Sequence, residues 1–202
     1  MVIIKKIIFF VIFIKITILT SVLAEIKDDN FFSWLKSYKE FAYEKGISKE
    51  TIDIAFKNVK FLEQVIKYDR KQPEFFEDTI TYVKKRANFA RAKKAKKLLE
   101  SNKNLFNEVE DNFLVEKEVL LALWGIETNF GKHVGKMDII SSLATLSYDK
   151  RRRDFFSSQL LTLLKLIDKK LIDPSTLYGS WAGAFGNFQF MPSTMMNYAI
   201  DY

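Results

Sequence analysis

Glycine and proline are distributed so unevenly that the chain divides into two kinds of backbone. Between Phe31 and about Leu114 there is one glycine, Gly46, and one proline, Pro73. Six of the seven glycines fall between Gly125 and Gly186. A stretch without breakers favours helix, and clustered glycines mark tight turns and close backbone approaches. The expectation is an all-α, mainly helical domain whose second half carries functional loops on a helical frame.

The helical half has the right rhythm. Phe31, Trp34, Leu35, Tyr38, Phe41 and Ala42 follow the i, i+3, i+4, i+7 spacing of one buried stripe, and Gly46 is placed to end that helix. Ser48 can cap a second helix carrying Ile52, Ile54, Ala55 and Val59. Pro73 separates a short segment from a long predicted helix running from about Glu77 to Ser101. In the second half, further helices are expected at Phe113 to Phe130, ended by Gly131, at Ile139 to Leu146 and at Phe155 to Leu171. A glycine- and aromatic-rich loop spans Leu177 to Pro192, and Pro192 opens a last helix from Ser193 to Tyr202.

The first two dozen residues differ from everything after them. Lys5 and Lys6 precede the apolar run Ile7 to Ile14, and small residues lead up to Ala24. That pattern predicts a signal peptide over 1–24, cleaved after Ala24, and an exported domain over 25–202. The alternative is an uncleaved anchor, because Ile7 to Leu23 approaches the length of a spanning helix. No cysteine is available for lipid attachment, disulfides or thiolate metal sites. His133 is the only histidine, which leaves neither a multi-histidine zinc centre nor a Ser-His triad with its partners.

Removing Lys5, Lys6 and Lys15 lowers the formal charge from +7 to +4, so the exported part is only mildly basic. The basicity is concentrated at Lys84, Lys85, Arg86, Arg91, Lys93, Lys94, Lys96 and Lys97. This run reads either as a solvated helix face or as a surface attracted to an anionic polymer or membrane. Nucleic acid is not expected as a partner of an exported protein.

Three segments carry chemistry. Glu127 lies in Leu123-Trp124-Gly125-Ile126-Glu127-Thr128-Asn129-Phe130-Gly131. On a helix, Leu123 and Trp124 sit on its side, which predicts an apolar, partly dry surface. Desolvation and the negative helix end would both favour the neutral carboxylic acid that a glycosidic general acid requires. The second segment, Gly179-Ser180-Trp181-Ala182-Gly183-Ala184-Phe185-Gly186-Asn187-Phe188-Gln189-Phe190-Met191-Pro192, joins flat aromatic faces to the neutral donors and acceptors Ser180, Asn187 and Gln189. The third, Tyr148-Asp149-Lys150-Arg151-Arg152-Arg153-Asp154-Phe155-Phe156, offers guanidinium forks for carboxylates.

In order and composition these segments resemble the lytic murein transglycosylase B family, glycoside hydrolase family 103, from about Phe31 to the last residue. The resemblance implies a lysozyme-like transglycosylase domain and non-hydrolytic cleavage of peptidoglycan between N-acetylmuramic acid and N-acetylglucosamine, without a cofactor. It makes Glu127 the acid and then the base. Arg151 and Arg152 become saccharide-binding arginines, Ser180 and Gln189 acetamide and hydroxyl contacts, and Phe155 an aromatic at the cleft. The implied setting is periplasmic, with peripheral membrane association as a further expectation. The family extends beyond this length into a small domain whose acidic loop can hold calcium, so the chain is expected to be truncated, without a metal site and with an open cleft. The competing expectations are a hydrolytic muramidase using Asp138 or Asp149, and a peptidoglycan-binding remnant without turnover.

Overall fold

Phe31, Leu35, Tyr38 and Ala42 repeat every three or four residues, and in the computed structural model, which describes residues 30–71 and 78–200, all four are buried along one face of the first helix, α1 (30–44). The signal-peptide segment, Pro73 and the last two residues lie outside the described residues. Gly46, at φ +89°, turns the chain at the end of α1, and the Ile47 amide returns to the Ala42 carbonyl at 3.1 Å. Ser48 Oγ accepts from the Thr51 amide and starts α2 (Lys49–Ala55). That helix is shorter than expected: Ile54 points outward, and Val59 is buried beyond its end. α3 (Glu63–Arg70) buries Val65 and Asp69.

The long helix expected from Glu77 to Ser101 is two helices, α4 (Thr79–Arg86) and α5 (Phe89–Ser101). Asn88 breaks it, because its side chain accepts from the Arg91 amide at 2.9 Å and so begins a new helix. The helix expected from Phe113 to Phe130 is likewise divided, into the end of α6 (Lys103–Phe113) and α7 (Lys117–Thr128). Leu114 takes the left-handed conformation between them at φ 55°, and Glu110 bridges the turn to Lys117.

The main core lies between α1, α8 (Ile139–Tyr148) and α9 (Arg153–Asp168). Nine of the ten residues of α8 are buried, and its hydroxyls satisfy backbone that would otherwise be stranded: Ser141 Oγ accepts from the Lys60 amide and Thr145 Oγ1 from the Leu62 amide. Leu160, Leu163 and Leu164 of α9 are fully covered, each contributing roughly 1.5–3 kcal/mol. A smaller cluster of Phe106, Leu121 and Phe130 joins α6 and α7. Two short strands, β1 (Met137–Asp138) and β2 (Tyr178–Gly179), pair antiparallel at the base of the glycine-rich loop. The last helix, α10 (Pro192–Tyr198), opens on Pro192 as expected but ends before Tyr202. Among the described residues no helix is long and apolar enough to cross a membrane.

The start of α2 is tied to the end of α9 by Asp168, whose carboxylate takes the Ser48 amide at 3.1 Å and the Ser48 hydroxyl. The Ser48 hydroxyl first, and then Thr51, hold the Asp168 carboxyl below the usual carboxylate range. A depressed native value stabilises the fold above the unfolded value of about pH 4, and the contribution is lost as pH falls through the depressed value. Asp168→Asn is therefore expected to reduce the difference between urea midpoints measured near neutrality and at about pH 3.

Candidate active site

The last turn of α7 is built so that one side is clamped and the next residue is free. Thr128 is fully buried; its hydroxyl donates to the Asn187 carbonyl at 2.9 Å and accepts from the Gly131 amide at 3.0 Å. Trp124 Nε1 donates to Asn187 Oδ1 at 3.1 Å. Asn129, Phe130 and Gly131 all have positive φ, a reversal that folds the Phe130 ring back under the helix, edge-on to Trp124. Gly125 permits this, because a β-carbon there would lie 2.8 Å from Phe130 Cζ. Lys94 caps the carbonyl end through the Asn129 oxygen at 3.2 Å and lies over the Phe130 ring.

Glu127 stands between these anchored neighbours and is exposed. The expected dry surface beside it is not formed: Leu123 is 47% exposed, and Trp124 is turned toward Asn187. A helical spacing says which side chains are neighbours and leaves open what covers them. The apolar cavity of about 430 Å³ along α7, between Ala92, Ala95 and Leu99 of α5 and Leu121, Ala122 and Ile126, does not include Glu127.

The glycine-rich loop that holds Asn187 is itself tightly specified. The Ser180 amide donates to the Ala184 carbonyl at 2.8 Å, and Ser180 Oγ accepts from the Ala184 amide at 3.0 Å. Phe185 and Phe190 exchange both backbone hydrogen bonds at 3.1 Å. Gln189, at φ 50°, donates its amide to Val134 O and to Gly186 O, both at 3.0 Å. Ser180 and Gln189 thus shape the loop from within, and the same loop bonds the end of α7. Gly183, at φ +93°, lies so close to Leu143 that a β-carbon would come within 2.4 Å of Cδ2. Gly183→Ala is expected to destabilise the fold by about 1–2 kcal/mol through the clash and the left-handed backbone, read as a lower urea midpoint.

Arg151 and Arg152 are committed to a carboxylate that sequence reasoning missed. Asp69 of α3 is 1% exposed; it takes Arg151 Nη1 on Oδ2 at 2.8 Å and Arg152 Nη2 on Oδ1. Arg70, next in the chain, pairs with Asp149 at 3.0 Å. Both arginines keep part of their side chains in solvent, near Phe155, which is 47% exposed in the first turn of α9 and edge-on to Phe156. Tyr68 of α3 faces Trp181 across 6.4 Å, which links the arginine end to the loop. Only the surplus of positive charge at 151–153 hinted that a buried acid was needed, and nothing local pointed to Asp69. The other two carboxylates of interest are occupied: Asp138 caps α8 at the Ser141 amide, 2.7 Å away, and Asp149 holds Arg70.

Several known proteins resemble the chain in sequence and fold. The family described as transglycosylase SLT domain matches residues 30–202. Membrane-bound lytic murein transglycosylase B of Escherichia coli (strain K12) is 43% identical over 89 residues, which are 44% of this chain and 25% of that protein. SltB3 of Pseudomonas aeruginosa, solved in complex with NAG-NAM-pentapeptide, superposes with a TM-score of 0.81 at 36% identity, over 85% of this chain and 46% of that one. Lytic transglycosylase SLT35 of Escherichia coli, in complex with bulgecin A, gives 0.71 at 28% identity, over 86% and 55%. The chain thus spans a quarter of the curated relative and about half of the solved structures.

Proposed function

The chain belongs to the family of transglycosylase SLT domains, and from that premise we propose that it is a lytic murein transglycosylase acting on peptidoglycan strands, with Glu127 as its acid and base. The observation that carries this reading is the exposed Glu127 held at a fixed place by Thr128 and Trp124 on the Asn187 loop. A glycan laid along that loop brings its glycosidic oxygen to the Glu127 carboxyl group and excludes water from around it.

Glu127 then protonates the glycosidic oxygen as the bond from muramic acid C1 to N-acetylglucosamine breaks. As carboxylate it accepts the proton of the muramoyl C6 hydroxyl while O6 bonds to C1, leaving a 1,6-anhydromuramic end and a carboxylic acid ready for another cycle. Ordinary glycosidases need a second carboxylate, as nucleophile or to activate water. Here the substrate's own hydroxyl takes that part, which agrees with Asp138 and Asp149 being engaged elsewhere. The outward N–H groups of Arg151 and Arg152 bind carboxylates of the strand, Phe155 offers a sugar a flat face, and Ser180 and Gln189 hold the loop under the acetamide and hydroxyl groups. A signal peptide over 1–24, a single domain over 25–202, a periplasmic location and peripheral membrane association belong to the same proposal.

Incubating the purified chain with sacculi and separating the muropeptides tests it. Anhydromuramoyl ends are the expected product. Reducing muramic acid ends would replace the reading by hydrolysis, and binding without either product would replace it by a glycan-binding protein.

A further inference from the structure

Between Asp78 and Glu100 the chain carries eight basic residues and no acid, yet the positive charge is not spread evenly around the helices it occupies. No side chain of α4 or α5 is fully buried. One face of α5 turns inward: Lys94 reaches Asn129 O, and Ala95, Leu98 and Leu99 pack on the small core. Phe89, Lys93, Lys96 and Lys97 follow i, i+4, i+7, i+8 spacing and are exposed on the outward side, Lys96 at its edge, where it also lines the cavity between α5 and α7. Among the described residues, those three lysines pair with no carboxylate. Phe89 is 84% exposed at the start of that face, and Ile80 and Val83 are exposed on α4, the helix before it in the chain.

Charge alone would suit any polyanion. The branched aliphatic side chains of Ile80 and Val83 offer a sugar ring no flat face, whereas the interface of an anionic bilayer takes lysines at the phosphates and apolar side chains, Phe89 among them, just beneath. We propose that the outward faces of α4 and α5 dock on an anionic lipid surface, with Lys93, Lys96 and Lys97 on headgroup phosphates and Phe89 inserted among them. This deepens the peripheral membrane association proposed above and is independent of the chemistry at Glu127.

Co-sedimentation of the full chain with phosphatidylcholine vesicles, with and without phosphatidylglycerol, tests the assignment. Binding is expected to require phosphatidylglycerol and to weaken as salt is raised. Replacing all three lysines, K93Q/K96Q/K97Q, is expected to weaken it about a hundredfold, and F89S several-fold, with turnover of sacculi unchanged. Parent-like binding by the triple variant would overturn this site while leaving membrane association standing. No binding of the parent to either vesicle would overturn both. A triple variant that loses affinity for sacculi but not for vesicles would identify the wall polymer as the partner of this face.

Discussion

Glu127→Gln is expected to slow release of anhydromuramoyl products by about 10²–10⁴-fold, the usual worth of a positioned acid or base. Glutamine keeps the shape of the side chain and loses both proton transfers. Because Glu127 is exposed and its helix end is held by Thr128, Trp124 and Lys94, the exchange removes no packing or buried partner. Thermal stability and affinity for sacculi should therefore be unchanged. A variant retaining more than about a tenth of the parent rate would remove Glu127 from the chemistry.

Asp69→Ala is expected to be the most destabilising of the changes considered. Removing one member of a buried ion pair costs about 3–5 kcal/mol, because the opposite charge is left in a poorly solvated place. Here two guanidiniums lose their partner, and Arg152 Nε is already buried without one. Both are partly exposed, so the lower end of that range, about 3 kcal/mol, is expected as a fall in urea midpoint. The loss also frees Arg151 and Arg152 from α3, and sacculus binding should weaken with it. Asp69→Asn should recover part of the stability, since the amide oxygen still accepts one guanidinium. Parent-like stability in Asp69→Ala would show that the arginines find support elsewhere.

Features set by neighbours in the chain were legible in advance. Gly46, Ser48 and Pro192 each begin or end a helix where local geometry requires it. The breaks at Asn88 and Leu114 were not, because an asparagine cap and a left-handed leucine lack the glycine or proline that usually announces a stop. The three chemistry-bearing segments could be found from composition, but their relation could not. Asn187 meets Trp124 from 63 positions away, and Arg151 meets Asp69 from 82. The dry surface expected around Glu127 failed for a similar reason. Spacing on one helix cannot report what another element, or a bound glycan, lays over it.

The C6 hydroxyl of muramic acid, and not water, is expected to attack the anomeric carbon under the control of Glu127. Digestion of sacculi in water enriched in oxygen-18, followed by mass analysis of the released ends, measures this directly. Anhydromuramoyl ends without the heavy isotope, produced by the parent chain and not by Glu127→Gln, are the expected result. Muramic acid ends that carry oxygen-18 at C1 would contradict it.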